Sequence, residues 1–172
     1  GTATTSGTST FTVQVTDGLS TSVTKIFSIT VDPGPAARLF IQTQPSSTAT
    51  AGIPFSTQPA IRIEDTFGNL VVSDNSTVVT ASRNTGNGIL QGVTNATAVS
   101  GVATFTNLFY TLAEIFTTQF TSGSLTATTS NSISVNAGTA TKVIVETNPT
   151  GSGTVVPSQN LASGNSITVF AV

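Results

Sequence analysis

The sequence predicts an all-β protein: antiparallel β-sandwich repeats, with one complete domain flanked by two partial ones. Three observations predict it. Short stretches rich in β-branched and aromatic residues recur along the whole length. Between them stand turn segments such as TDG, DPG, TFGN, NTGNG, TSG, NPTGSG and ASGN, each carrying Gly or Asn where a positive φ is needed. Finally, one line is written twice, as ITVDPGPAARLFIQTQPS from Ile29 and as ISVNAGTATKVIVETNPT from Ile133, 104 residues further on.

In chain order, the strand signals are TFTVQV (Thr10 to Val15), KIFSITV (Lys25 to Val31), RLFIQTQ (Arg38 to Gln44), AIRIED (Ala60 to Asp65) and TVVTAS (Thr77 to Ser82). They continue with GVATFTNL (Gly101 to Leu108), IFTTQFTS (Ile115 to Ser122), SISV (Ser132 to Val135) and KVIVET (Lys142 to Thr147). The stretch from Leu108 to Glu114 is the one place where a helix is conceivable. In the middle of the chain Leu39 and Ile41, Ile61 and Ile63, and Phe105 alternate so as to face inward across two sheets, with Ile133 and Val135 closing one edge. Phe116 and Phe120 join that core. In Leu39-Phe40-Ile41 both alternations are apolar, so periodicity leaves the inward face open.

The repeated line holds apolar and basic positions in register over 18 residues. Its surroundings repeat as well: FTVQVTDG from Phe11 matches FTTQFTSG from Phe116, and LASGNSITVFAV near the end is a variant of ATAGIPFSTQPAIRI. The chain therefore divides into the closing strands of one domain (residues 1–31), a complete domain (35–136) and the opening strands of a third (138–172). Strands 11–31 standing alone would expose an apolar face and open sheet edges, and an isolated hairpin is marginal in water. Either the polypeptide continues beyond both ends, or neighbouring copies complete the split domains by strand addition. The first is favoured, because pieces of 31 and 35 residues do not fill a unit of 104. The absence of Met likewise implies a chain that is processed or taken from something longer.

The middle unit, through QPSSTATAG, IRIEDTFGN and SGVATFTNL, resembles the bacterial Ig-like repeats of large surface proteins, the group that includes invasin- and intimin-type stalks. FTVQVTDGLSTSVTKIFSITV also resembles the closing strands of cadherin-like and other Ig-type modules. The resemblance implies an Ig-like antiparallel β-sandwich on a bacterial cell surface, and implies fold more than function. Members commonly carry a Tyr where this chain has Phe116, and Phe11 stands at the equivalent upstream place, so a corner hydrogen bond from a Tyr hydroxyl is lost here.

Composition narrows the chemistry. Of 172 residues 37% are apolar, enough for a packed core, yet only 7% are charged against an ordinary fraction of about a quarter, while Ser and Thr make up roughly a third. With a net charge of −2 and five basic residues there is no stripe to neutralise a phosphate backbone, so nucleic acid is not an expected partner. There is no Cys for disulfides or thiolate sites and no His, the usual general base and metal ligand. No apolar run approaches the roughly 18 residues of a membrane span.

Within the middle unit Glu64, Asp65, Asn69 and Asp74 are oxygen donors close in sequence, the candidate ligands for Ca²⁺, which takes about six to eight such oxygens. Their spacing matches neither an EF-hand loop nor the acidic junctions of cadherins, and Asp32 at the first junction faces a neutral counterpart, Asn136, at the second. DTFGN (Asp65 to Asn69) reads instead as a tight turn, Asp bonding the local backbone and Gly supplying positive φ. No cofactor or metal is therefore assigned.

The two lysines, Lys25 and Lys142, both lie outside the middle unit, which rules out a Lys–Asn isopeptide within it. They read as exposed charges that discourage stray edge pairing. Asn75-Ser76-Thr77 and Asn95-Ala96-Thr97 are sequons that Ser/Thr-rich sequence produces by chance. Glu114 near Tyr110 lacks the second carboxylate that glycoside hydrolysis uses, so no enzyme is expected. A carbohydrate-binding module would need exposed aromatic platforms, and the chain has no Trp and a single Tyr. What remains is a spacer or stalk segment of a secreted, adhesin-like bacterial surface protein. Its expected partners are neighbouring Ig-like domains of the same chain, with any surface ligand unspecified. The alternative is a subunit that self-assembles into an extracellular fibre or surface layer, its weakly charged surface offering little resistance to association between copies.

Overall fold

A computed structural model describes residues 2–139, 145–146 and 170–171, and every regular element among them is a β-strand. The chain divides into two compact units, Gly1–Ala137 and Gly138–Val172. The first contains β1 (Gly7–Thr16), β2 (Ser22–Val31), β3 (Arg38–Thr43), β4 (Thr48–Thr50), β5 (Ala60–Glu64), β6 (Val78–Thr85), β7 (Leu90–Gln91), β8 (Asn95–Thr97), β9 (Val102–Thr104), β10 (Phe109–Tyr110), β11 (Ile115–Thr121), β12 (Thr128–Thr129) and β13 (Ile133–Asn136). In the second, β14 (Val145–Glu146) and β15 (Phe170–Ala171) pair antiparallel. The expected strand Lys142 to Thr147 otherwise lies outside the described residues, as does Lys142.

Alternation of side chains across the pleat builds the core. In β3, Leu39 and Ile41 are buried while Phe40 between them is half exposed, which settles the face that periodicity left open. β3 pairs with β5, Leu39 opposite Ile63 and Ile41 opposite Ile61, and β5 pairs with β9, giving a three-stranded antiparallel sheet. A second sheet runs β4-β13-β11-β6-β8, with β12 attached to β11. It contributes Val79, Ala81, Phe116, Phe120, Ile133 and Val135 to the same cluster as Leu39, Ile41, Ile61 and Ile63, so one core lies between the sheets as in a β-sandwich. Each Ile, Leu or Phe taken fully out of water there contributes about 1.5–3 kcal/mol. All nine residues expected inward are buried.

Two strand expectations are corrected, one edge and one boundary, and the conceivable helix is absent. Ile133 and Val135 do not close an edge, because β13 lies between β11 and β4, and β4 runs parallel to it with Ser134 opposite Thr48. Residues 108–114 form no helix: Phe109 and Tyr110 pair with Gln91 and Leu90, and four bends carry the chain on to β11. Tertiary pairing and burial of Tyr110 override the weak helical preference of this stretch. The strand expected from Gly101 to Leu108 is also shorter, ending at Thr104.

β1 and β2 form a hairpin closed by residues 17–21 and pair with each other alone. Asp17 organises its turn, accepting hydrogen bonds from the Leu19 and Thr21 amides.

Candidate functional site

The Asp65 turn is where the two-sheet sandwich meets the β1–β2 hairpin. β5 delivers Asp65 to the end of the three-stranded sheet, and Gly68 takes φ +88°, which a residue with a Cβ rarely adopts. Asp65 Oδ1 accepts from the Phe67 and Asn69 amides, at 2.9 and 2.8 Å, so the expected tight turn is present with Asp and Gly in the expected roles. Asp65 Oδ2 accepts from Asn69 Nδ2 at 2.8 Å and from the Gly34 amide at 2.9 Å. The Asn69 side-chain hydrogen bond leads the effects that hold the Asp65 carboxyl down at about 2, backbone amides assisting and burial opposing.

Asn69 then reaches beyond its own turn. Its Oδ1 accepts from the Ser6 amide at 3.0 Å, and its Nδ2 also donates to the Thr4 carbonyl at 2.9 Å. Thr4 and Ser6 lead into β1, whereas Gly34 follows β2, so one pair of side chains holds both ends of the hairpin. Sequence reading singled out Asp65 and Asn69 but missed these partners, which are backbone groups 63 and 65 positions from Asn69 with no side-chain signal.

The four candidate calcium donors do not converge. Buried Glu64 binds Arg38 at 2.9 Å and lies 3.4 Å from Arg62. Both Asp65 oxygens are committed as described, and the Asn69 oxygen is taken by Ser6. Asp74 caps its own turn, accepting from the Ser76 and Thr77 amides and the Thr77 hydroxyl. Burial raises its pKa, but these hydrogen bonds prevail and the net shift is downward. Among the described residues no group of three or more His, Cys, Asp or Glu comes together. A cation would have to displace N–H donors from oxygens already satisfied, so the donor set does not fit Ca²⁺.

Glu114 plays a comparable capping role. Its Oε1 accepts from the Asn87 and Gly88 amides and the Tyr110 hydroxyl, and the carboxyl is held at about 2, chiefly by Gly88, then Asn87 and Tyr110. An acid that weakly basic carries no proton to donate near neutrality. Tyr110 itself is fully buried, so it offers no platform to a sugar ring. Asn75 and Asn95 are exposed, but their side-chain oxygens accept from the Ser100 amide and the Thr80 hydroxyl.

The hairpin itself presents an unusual surface. Cross-strand pairing puts Phe11, Val13, Val15, Val23, Phe27 and Ile29 on one face and mostly Thr, Ser and Gln on the other. The apolar face is uncovered: Phe11 is 46% exposed, Val15 67% and Ile29 58%. The residues at the same places in the similar sequence lines, Phe116, Phe120 and Ile133, are each exposed by no more than 1%. Lys25 lies on this face opposite Val13, its Nζ 5.5 Å from the centre of the Phe27 ring, a charge of the kind that deters pairing of open strands.

No helix among the described residues is long and apolar enough to cross a membrane. A scan against protein-family models and a search of the curated proteins both return no match to this chain.

Proposed function

We propose that this chain is a spacer segment of a secreted bacterial cell-surface protein, a stalk built from tandem Ig-like β-sandwich repeats. The observation that carries the reading is the pairing of buried and exposed counterparts across the repeat. Phe116, Phe120 and Ile133 form the core of a complete two-sheet unit, while Phe11, Val15 and Ile29 present the same apolar face with no second sheet over it. The hairpin is then the closing half of a like unit, and a sheet resembling β3-β5-β9 completes it. The described side chains support a structural rather than a chemical role, since the carboxylates Asp65, Asp74 and Glu114 serve as caps for backbone amides.

The uncovered hairpin face and the 7% charged composition also favour a second reading, a self-assembling subunit of an extracellular fibre or surface layer in which neighbouring copies supply the missing sheet. The intact mass of the native polypeptide that contains this segment, measured under denaturing conditions, separates the two. A mass far above 17.4 kDa supports the stalk, and a mass near it overturns the stalk in favour of the assembly.

A further inference from the structure

We propose that the Asp65–Asn69 pair is a clasp that sets the angle between the hairpin module and the complete domain, making this junction a fixed joint rather than a swivel. The clasp is a property of this chain's own residues; its meaning as the joint between successive repeats rests on the stalk reading.

The connection from β2 to β3 runs through Asp32-Pro33-Gly34-Pro35-Ala36-Ala37. Proline has no amide hydrogen, so Gly34 carries the sole N–H of the Pro33-Gly34-Pro35 stretch, and that N–H goes to Asp65 Oδ2. The two prolines fix φ on either side of it, which leaves the bonded residue little freedom to wander. Three residues further on, the Ala37 amide bonds the Glu64 carbonyl at 2.8 Å, and Arg38 bonds the Glu64 carboxylate. Three successive attachments thus tie the exit from the hairpin to the end of β5.

The approach to the hairpin is tied to the same place. Ser6 and Thr4 offer a donor and an acceptor to Asn69, whose amide carries an acceptor and two donors on one planar group and answers both at once. Asn69 is in turn oriented by its bond to Asp65 Oδ2. Two chain segments on opposite sides of a ten-residue-per-strand hairpin therefore meet one rigid turn, and a module held at both ends cannot rotate about a single connecting strand. Hydrogen bonds to a carboxylate that stays ionised are the stronger kind, which suits the Gly34 contact to a permanent attachment.

The chain has no Cys, so a labelled pair is easily introduced. Leu19→Cys at the hairpin turn, 88% exposed, and Val93→Cys on the complete domain, 49% exposed, carry nitroxides for a pulsed electron-resonance distance measurement on the full chain. The expected result is one narrow distance distribution, broadened and shifted by Asn69→Ala and left unchanged by Thr24→Ala, an exposed hairpin residue outside the clasp. A distribution in Asn69→Ala as narrow as the parent's, with the complete domain still folded, overturns the clasp. Hydrogen exchange on the unsubstituted chain gives an independent reading should Asn69→Ala misfold: the Gly34 and Ser6 amides are expected to be protected like the β5 ladder, and open-chain exchange at both overturns the proposal. Neither result depends on the native mass, so a failed stalk reading and a failed clasp remain distinguishable.

Discussion

The ring of Tyr110 stacks on that of Phe116 with centroids 3.7 Å apart and an interplanar angle of 8°, and the Tyr hydroxyl reaches out of the core to Glu114 at 2.7 Å. This hydrogen bond anchors β10 to the bends that follow it. Replacing Tyr110 by Phe keeps the stack and removes the hydrogen bond, for an expected loss of about 1 kcal/mol in urea unfolding. Tyr110→Ala also empties the core and is expected to cost about 3–5 kcal/mol.

Thr118 is buried among apolar neighbours and its hydroxyl has no hydrogen-bond partner within the protein. In the similar line FTVQVTDG the matching place holds Val13. Thr118→Val should therefore raise stability by about 1 kcal/mol, since it removes a desolvated hydroxyl at nearly constant volume. A lower urea midpoint in this variant would show that the hydroxyl is satisfied in solution.

Acid should unfold the domain through its caps. Asp65 and Glu114 sit at about 2 when folded against ordinary values of 3.8 and 4.5, so the unfolded chain binds protons first as pH falls. Their stabilisation is complete above about pH 5 and is lost progressively on the way down through pH 2. The melting temperature is expected to fall over that window, and Glu114→Gln to flatten the dependence; an equally steep profile in that variant would locate the acid sensitivity elsewhere.

Two glycines with similar backbones should respond differently to Ala. Gly52 has φ +77° and open space where a Cβ would go, whereas Gly92 has φ +96° and a Cβ there would fall 1.9 Å from the Asn107 carbonyl oxygen. Gly52→Ala is expected to cost about 1 kcal/mol from backbone strain alone. Gly92→Ala forces β7 and the Asn107 segment apart, so little folded protein is expected by circular dichroism.

Local chemistry was legible in the sequence and distant pairing was not. Asp65 and Gly68 announce their turn because each acts on backbone within a few residues. Ile61 and Ile63 announce the core through their period of two, whereas Leu39-Phe40-Ile41, apolar in both alternations, needed the facing sheet to choose its inward side. Strands such as β12, two threonines long, have no pattern to detect and exist because β11 offers them partners. The parallel pairing of β4 with β13 joins residues more than eighty positions apart, beyond any local periodicity. The same holds for the clasp, half of which is main chain: Asn69 was visible as a polar donor, but nothing in its neighbourhood names Thr4 or Ser6.

The parallel pairing has a consequence under force. When the two ends of the complete domain are drawn apart, β4 is pulled toward its start and β13 toward its end, so the bonds joining Thr48–Thr50 to Ser134–Asn136 are loaded together in shear. The short parallel bridge between Arg38 and Thr126 is loaded in the same sense. The β1–β2 hairpin, pulled at Gly7 and Val31, opens one pair at a time like a zip. Rupture under load is set by the unfolding rate, and shear geometry slows it where unzipping does not. Drawn from its ends, the two-sheet unit is expected to give way after the hairpin.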